Sequence, residues 1–130
     1  MRQVRKKVDF PLMLPTVLER TSSPDPTMPV RAYETGGHKT VRLTYRLFAD
    51  GVYQYWGIQQ TSWDDAPALA EANQTTTIAG RKYDLYYSGS KLHMVVLREK
   101  DATYWVVNTL LDKLSNETMI AIAKGLRPLR

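Results

Sequence analysis

Alternating apolar and polar residues, divided by regular turn sequences, run through residues 81–126 of this 130-residue chain. Turn-forming residues at Ser88-Gly89 and again at 99–101 divide the first part of this segment into three runs. The first run has the two-residue period of a half-buried strand, and its apolar face carries Tyr83, Leu85 and Tyr87. The pattern predicts three consecutive strands in an antiparallel meander.

The second and third runs extend the same alternation. Leu92, Met94 and Val96 follow one another at every second position, so we expect them to share one face of the second strand. The third strand is predicted to run from Thr103 to Leu110.

A helix is predicted to close this segment. Ser115 is a good N-cap, Glu117 lies in the first turn where the helix dipole favours an anion, and Gly125 is placed to stop the helix. Four apolar residues fall at i, i+3, i+4 and i+7, and they are Met119, Ile122, Ala123 and Leu126. One face of the helix must therefore be buried, and the sheet is the large partner available.

A hairpin is predicted upstream. Residues 41–47 alternate strictly, with apolar side chains at odd positions and polar side chains at even ones. Asp50-Gly51 supplies the small, positive-φ residues of a tight turn, and Tyr53 to Thr61 returns as the partner strand. Shorter strands are expected at residues 30–33 and 74–78, and a short helix after Trp63.

The expected fold is therefore α+β. We predict an antiparallel meander sheet of about five to seven strands, with the C-terminal helix packed on one face and a short helix after Trp63. Either Asp64 or Asp65 can cap the short helix. These adjacent carboxylates diverge in a strand or a helix, so a cap is favoured over a catalytic pair.

The net charge of +5 is concentrated at the N-terminus, where four basic residues contribute +4: Arg2, Arg5, Lys6 and Lys7. Residues 8–130 hold 14 basic and 13 acidic residues, a balance of +1. We therefore expect a basic flexible tail over residues 1–7 and a single α+β domain over 8–130. A short tail on a nearly neutral body disfavours nucleic acid as a partner.

Several kinds of site are disfavoured by the residues present. The chain has no cysteine, which excludes thiolate ligands, a cysteine nucleophile and disulfides. The two histidines, His38 and His93, do not have a metal-binding spacing, and no nucleophile elbow or phosphate-binding loop occurs. We expect no cofactor, no metal and no catalytic residue. No apolar run approaches the length of a membrane span.

Several segments resemble a known family. Tyr104-Trp-Val-Val-Asn-Thr-Leu-Leu111 and the following residues 114–126 resemble a C-terminal extracytoplasmic domain of actinobacterial LytR-CpsA-Psr proteins. Residues 9–15, 55–67 and 83–93 are similar to the same domain. The resemblance implies an extracytoplasmic accessory domain of a membrane-anchored parent that transfers glycopolymers to the cell wall. The catalytic arginine and aspartate cluster of that family has no counterpart here, so transferase activity is not implied for this chain.

Aromatic residues carry the strongest indication of binding. Too many tyrosines and tryptophans fall on neighbouring predicted strands for one face to bury them all, so some are expected to line an exposed groove or patch. The alternative is that the short helix and the proline-rich N-terminal segment cover them. The candidate ligand-binding residues are Tyr55, Trp56, Trp63, Arg81, Tyr86, His93 and Trp105.

The sequence leads to one main functional hypothesis and two alternatives. The main hypothesis is a non-catalytic accessory domain of a bacterial cell-envelope protein, which binds glycan or a partner domain of the same parent chain through its aromatic surface. One alternative is a small enzyme acting on an envelope lipid or glycan, with Asp64, Asp65, Arg81 or His93 in its pocket. The other is a cytoplasmic binding protein, if the chain is a whole gene product.

Overall fold

The computed structural model of the protein describes residues 8–63 and 72–129. The predicted short helix after Trp63, its capping aspartates and the basic tail lie outside these residues. The elements are β1 (Met13–Pro15), β2 (Ser23–Pro24), β3 (Val30–Thr35), β4 (His38–Ala49), β5 (Val52–Thr61), β6 (Gln74–Ile78), β7 (Arg81–Ser88), β8 (Lys91–Arg98), β9 (Thr103–Val107), α1 (Asn116–Lys124) and β10 (Leu126–Pro128).

Eight strands form one antiparallel sheet in the described part of the chain, which confirms the α+β class but exceeds the five to seven strands predicted. The order across the sheet is β2, β4, β5, β9, β8, β7 and β6, and β3 pairs with β4 beside β2. The strand order therefore departs from a simple meander where β9 inserts beside β5. The segment from β7 to β9 is the antiparallel meander that alternation predicts.

The helix α1 packs against β8 and β9 and defines the core face of the sheet. Its predicted face is buried as expected, with Met119, Ile122, Ala123 and the following Leu126 almost fully inaccessible. Ser115 caps the helix, since its side chain accepts a hydrogen bond from the Thr118 N–H. The core also contains Trp56, Ile58, Tyr83, Leu92, Leu97 and Tyr104.

Gly125 ends the helix, as predicted, but it does not adopt a left-handed conformation, because its φ is −84°. Instead, a Cβ at this position would lie 2.8 Å from the Thr16 hydroxyl oxygen. That hydroxyl and the Thr16 N–H both donate to the Gly125 carbonyl. Glycine is therefore needed for the close approach of the segment that follows β1, which pairs with β10.

A β-bulge at His93 changes the faces of β8. Tyr86 pairs with Met94 and Tyr87 pairs with Leu92, which leaves His93 as the extra residue. Leu92 therefore joins the core cluster, whereas Met94 lies with a second cluster on the opposite side of the sheet, here called the outer face. The prediction that Leu92, Met94 and Val96 share a face is wrong for this reason.

Candidate functional site

Exposed apolar side chains gather at the end of the sheet where β4 turns into β5. Val52, Tyr53 and Tyr55 of this hairpin lie beside Leu110 and Leu111, which follow β9, and Phe48 packs edge-on against the Tyr53 ring. We call these six residues the hairpin patch. Leu110 is 94% exposed and Leu111 is 69% exposed, which is unusual for leucines held close to a folded core.

The hairpin extends well beyond its neighbour β9. A two-residue turn joins Ala49 to Val52, and both turn residues, Asp50 and Gly51, have positive φ values of 55° and 80°. These are the conformations of the type I′ turn that the Asp-Gly sequence predicts. Within β5, β9 pairs only with Gly57–Thr61, so among the described residues the first half of β5 has β4 on one side and no partner strand on the other.

The chain leaves the sheet at Asn108 and forms a loop that presents the two leucines. The Asn108 amide donates to the carbonyls of Leu92 (2.9 Å) and Leu114 (3.0 Å), and its oxygen accepts from the N–H groups of Thr109 and Leu114. The Lys113 N–H donates to the Thr109 hydroxyl. The strand therefore ends at Val107, three residues before the predicted end at Leu110, because Asn108 satisfies the loop backbone instead of a partner strand.

An ion pair and a side-chain hydrogen bond tie this loop to its surroundings. Lys113 Nζ lies 2.5 Å from Asp50 Oδ2 at the hairpin turn. Asp112, which has a positive φ of 52°, places Oδ1 2.7 Å from His93 Nδ1 at the bulge. The loop is thus anchored to the hairpin and to β8, while its two leucines stay exposed.

A groove of about 260 Å³ lies between the β5 edge and the loop. Its walls are Val52, Tyr53, Tyr55, Leu110 and Leu111, with Gln54 as the polar member. Gln54 is 7% exposed, and its Nε2 has no hydrogen-bond partner within the described residues. A buried amide donor without an acceptor is costly, so this atom marks a position where an incoming acceptor would be stabilising.

Arg46 supplies the free positive charge beside the patch. Its guanidinium lies 4.0 Å from the centre of the Tyr53 ring, a cation–π distance, and Arg46 pairs across the strands with Tyr55. Among the described residues, no carboxylate lies within ion-pairing distance of Arg46, whereas Lys113 is neutralised by Asp50.

The outer face of the meander is mostly covered. Tyr86, Val96 and Trp105 form a buried cluster there, against which Trp63 packs. Beside it, Asp84 accepts from Arg98 Nε at 2.7 Å, and this hydrogen bond raises the pKa of Arg98 above its usual value. Burial raises the pKa of the Tyr86 phenol, although Arg98 acts in the opposite direction.

The seven predicted site residues do not form one site. Trp63, Tyr86 and Trp105 meet in the outer-face cluster, and Trp63 also stacks on the His38 ring with centroids 5.2 Å apart. Tyr55 lies in the hairpin patch. Trp56 is fully buried in the core, stacks on Tyr45, and donates from Nε1 to the Ser22 hydroxyl at 2.8 Å.

Arg81, at the start of β7, and His93, in β8, lie at opposite ends of the β7–β8 hairpin. Arg81 pairs with Glu99, just beyond the C-terminal end of β8, and His93 pairs with Asp112 near the start of β8. Six positions along a strand correspond to roughly 20 Å. The structure therefore does not bring Arg81 and His93 into one cleft.

Sequence reasoning missed four residues that line the groove, Val52, Gln54, Leu110 and Leu111, and also Phe48, which packs on Tyr53. A signal for some of them was present, because Leu47-Phe48 and Leu110-Leu111 are adjacent apolar pairs. Strand alternation can bury only one member of such a pair, so the other must be exposed or must leave the strand. Gln54 has no comparable signal, since its burial depends on the loop from another part of the chain.

Two further features are absent from the described residues. No three histidine, aspartate or glutamate side chains within 8–63 and 72–129 lie close enough to hold a metal ion. In the same residues, no helix has the length and apolar character needed to cross a membrane.

Comparison with known proteins does not place the chain in a family. No protein-family model matches it, and neither a curated protein nor a solved structure is significantly similar to it.

Proposed function

We propose that this chain is a non-catalytic binding domain of a bacterial cell-envelope protein, and that it binds a protein partner through the hairpin patch. The observation that carries the proposal is the exposure of five apolar side chains around one groove on a firmly hydrogen-bonded support. Apolar patches rimmed by polar residues are typical of interaction sites. The resemblance to accessory domains of LytR-CpsA-Psr proteins supports an extracytoplasmic location on a membrane-anchored parent.

A protein partner fits this groove better than a glycan. Sugar rings stack on aromatic side chains, but their hydroxyl groups also need hydrogen-bond partners placed around the ring. The groove offers five apolar walls and one side-chain amide, Gln54. A protein segment can bury apolar side chains here and meet its few polar needs through its backbone.

The contacts made by Arg81 and His93 favour a binding role over catalysis. Arg81 is engaged by Glu99 and by the Leu126 carbonyl, and His93 is engaged by Asp112. A general acid or base must share a cleft with the other reacting groups. These two residues lie far apart and each has its own partner.

Site-directed photocrosslinking in the full-length parent protein tests the proposal. A photoreactive amino acid replaces Leu110 in one variant and Met28 in the control, because Met28 is also apolar and exposed but lies outside the patch. We expect a protein adduct of defined mass from position 110 and none from position 28. An adduct that is removed by a glycan-degrading enzyme would assign the patch to a glycan instead, and equal labelling at both positions would refute the proposal.

A further inference from the structure

We propose that the partner contributes an extended peptide segment, which adds as a strand to the open edge of β5 at Tyr53 and Tyr55. This inference rests on the proposed function, because it specifies how the hairpin patch is occupied. It assigns the recognition chiefly to backbone hydrogen bonds, with the hairpin patch supplying apolar contacts.

The pairing of β5 fixes which backbone groups face the groove. In an antiparallel ladder, successive residues send their N–H and C=O groups to opposite sides. The two-residue turn closes on the pair Ala49 and Val52, so even-numbered residues of β5 bond to β4. Tyr53, Tyr55 and Gly57 therefore point to the other side. Gly57 meets Val107 of β9 there, but the ladder stops at that pair.

Tyr53 and Tyr55 consequently present two N–H and two C=O groups to the groove. Within the described residues, their backbone groups take part in no hydrogen bond on that side. A longer β9 would have paired with these N–H and C=O groups. Asn108 instead turns the chain away, because its N–H donates to the His93 carbonyl and its side-chain oxygen accepts from N–H groups of the loop. An unpaired strand edge next to apolar side chains is a template for another strand.

Three neighbouring features define the chemistry of the segment. Leu110 and Leu111 form the far wall of the groove, so residues that point toward the loop should be apolar. Gln54 Nε2 has no acceptor in the described part of the chain, and a carbonyl oxygen of the segment can supply one. Arg46 lies beside Tyr55 on the outer face and has no carboxylate partner in residues 8–63 and 72–129, so an acidic residue on that side of the segment is favoured.

The occupant is therefore an extended segment of another protein, with alternating apolar residues and a carboxylate. A second copy of this chain could also pair through the same edge. Sedimentation of the full chain distinguishes the two, since a dimer that dissociates in the Leu110→Lys variant would overturn the proposal in favour of self-association.

Hydrogen exchange tests the free edge before any partner is known. In the free protein, the amide protons of Tyr53 and Tyr55 should exchange much faster than those of Gln54 and Trp56, which bond to β4. Similar protection of all four would show that the edge is already satisfied and would overturn the proposal.

A peptide experiment tests strand addition directly. Random dodecapeptides displayed on phage are selected on the immobilised full chain, and peptides whose binding is lost in Leu110→Lys are kept. N-methylation is then moved along a selected peptide one residue at a time. We expect affinity to fall about tenfold at alternate positions and to be nearly unchanged at the positions between them, because only alternate N–H groups face β5.

The outcomes separate this inference from the proposed function. A methylation profile without alternation, or selection that yields no peptide dependent on Leu110, overturns strand addition. If the crosslink from position 110 to a defined protein persists in that case, the binding function stands and only its mode is wrong. Protection of Tyr53 and Tyr55 amides on peptide binding, with Gln54 unchanged, supports the proposal.

Discussion

Replacing Asn108 with alanine should destabilise the protein by far more than the loss of an ordinary polar side chain. This residue is 3% exposed, and its side-chain amide makes four hydrogen bonds to backbone groups, one to Leu92 of β8 and three to the loop that follows β9. A buried polar group left without a partner costs about 1–3 kcal/mol. The alanine variant leaves four backbone groups without their partner, but the loop lies near the surface, so water can reach some of these groups as the loop relaxes. We therefore expect a total loss of about 3 kcal/mol.

Equilibrium unfolding in urea measures this change directly. A loss of about 3 kcal/mol is a large share of the roughly 5–15 kcal/mol that stabilises a domain, and it should lower the melting temperature by roughly 10 °C. Asn116→Ala is the matched control, because this amide makes two hydrogen bonds, to the Leu92 N–H and the Ser90 carbonyl, at a more exposed position. We expect the control to lose about 1 kcal/mol.

The nearly isosteric Asn108→Asp variant separates hydrogen bonding from packing. A carboxylate keeps both acceptor bonds but places an oxygen against the carbonyls of Leu92 and Leu114, where the amide donates. We expect it to be at least as destabilising as alanine at neutral pH. If Asn108→Ala costs no more than the Asn116 control, or if Asn108→Asp is neutral, the argument that this amide organises the loop is wrong.

Three further predictions concern other parts of the molecule. Burial raises the pKa of Tyr104 from 10.0 to about 12, so this phenol ionises at lower pH in the unfolded chain than in the folded one. The folded state is therefore fully stable below pH 10 and loses stability as the pH rises to about 12. Tyr104→Phe should remove about 2–3 kcal/mol of that alkaline loss, as measured by urea unfolding at a series of pH values. Gly36 and Gly37 both have positive φ, but of the two only Gly36 has an indole ring, that of Trp63, where an added Cβ would lie, so Gly36→Ala should destabilise more than Gly37→Ala in thermal melts. Replacing Leu110 and Leu111 with serine should change the free energy of unfolding by less than about 0.5 kcal/mol per residue while abolishing partner binding, and a large loss of stability would contradict their exposed placement.

The regular elements could be predicted because local signals agreed with the fold. The Asp50-Gly51 turn, the alternation of residues 41–47 and the Ser115 cap each have a physical cause that lies within a few residues. The bulge at His93 could not be predicted this way, since no residue in its neighbourhood requires an extra position. Its consequence is large, because one inserted residue moves Leu92 from the outer face to the core face.

The candidate site was only partly predictable for a related reason. Aromatic abundance predicted that one face could not bury every ring; Tyr55 is exposed, whereas Tyr86 and Trp105 are buried in the outer-face cluster. The groove, however, depends on where β9 ends, and that is decided by a side chain that can bond either a strand partner or its own loop. The Asn108 side chain bonds its own loop. It donates to the carbonyl of Leu92, which is 16 residues earlier in the sequence, and to that of Leu114, which lies at the far end of the loop.

The groove of the hairpin patch stays open because each of its two walls is held in place by its own bonds. β5 is held by its pairing with β4 along its full length, and the loop is held by the Asn108 amide and by the Lys113–Asp50 pair. Closing the groove would break buried hydrogen bonds to gain a small apolar contact, which is unfavourable. A partner therefore meets a surface that is already ordered and loses little conformational entropy from this side on binding. The same bonds that keep Leu110 and Leu111 exposed thus favour occupation of the groove by another chain.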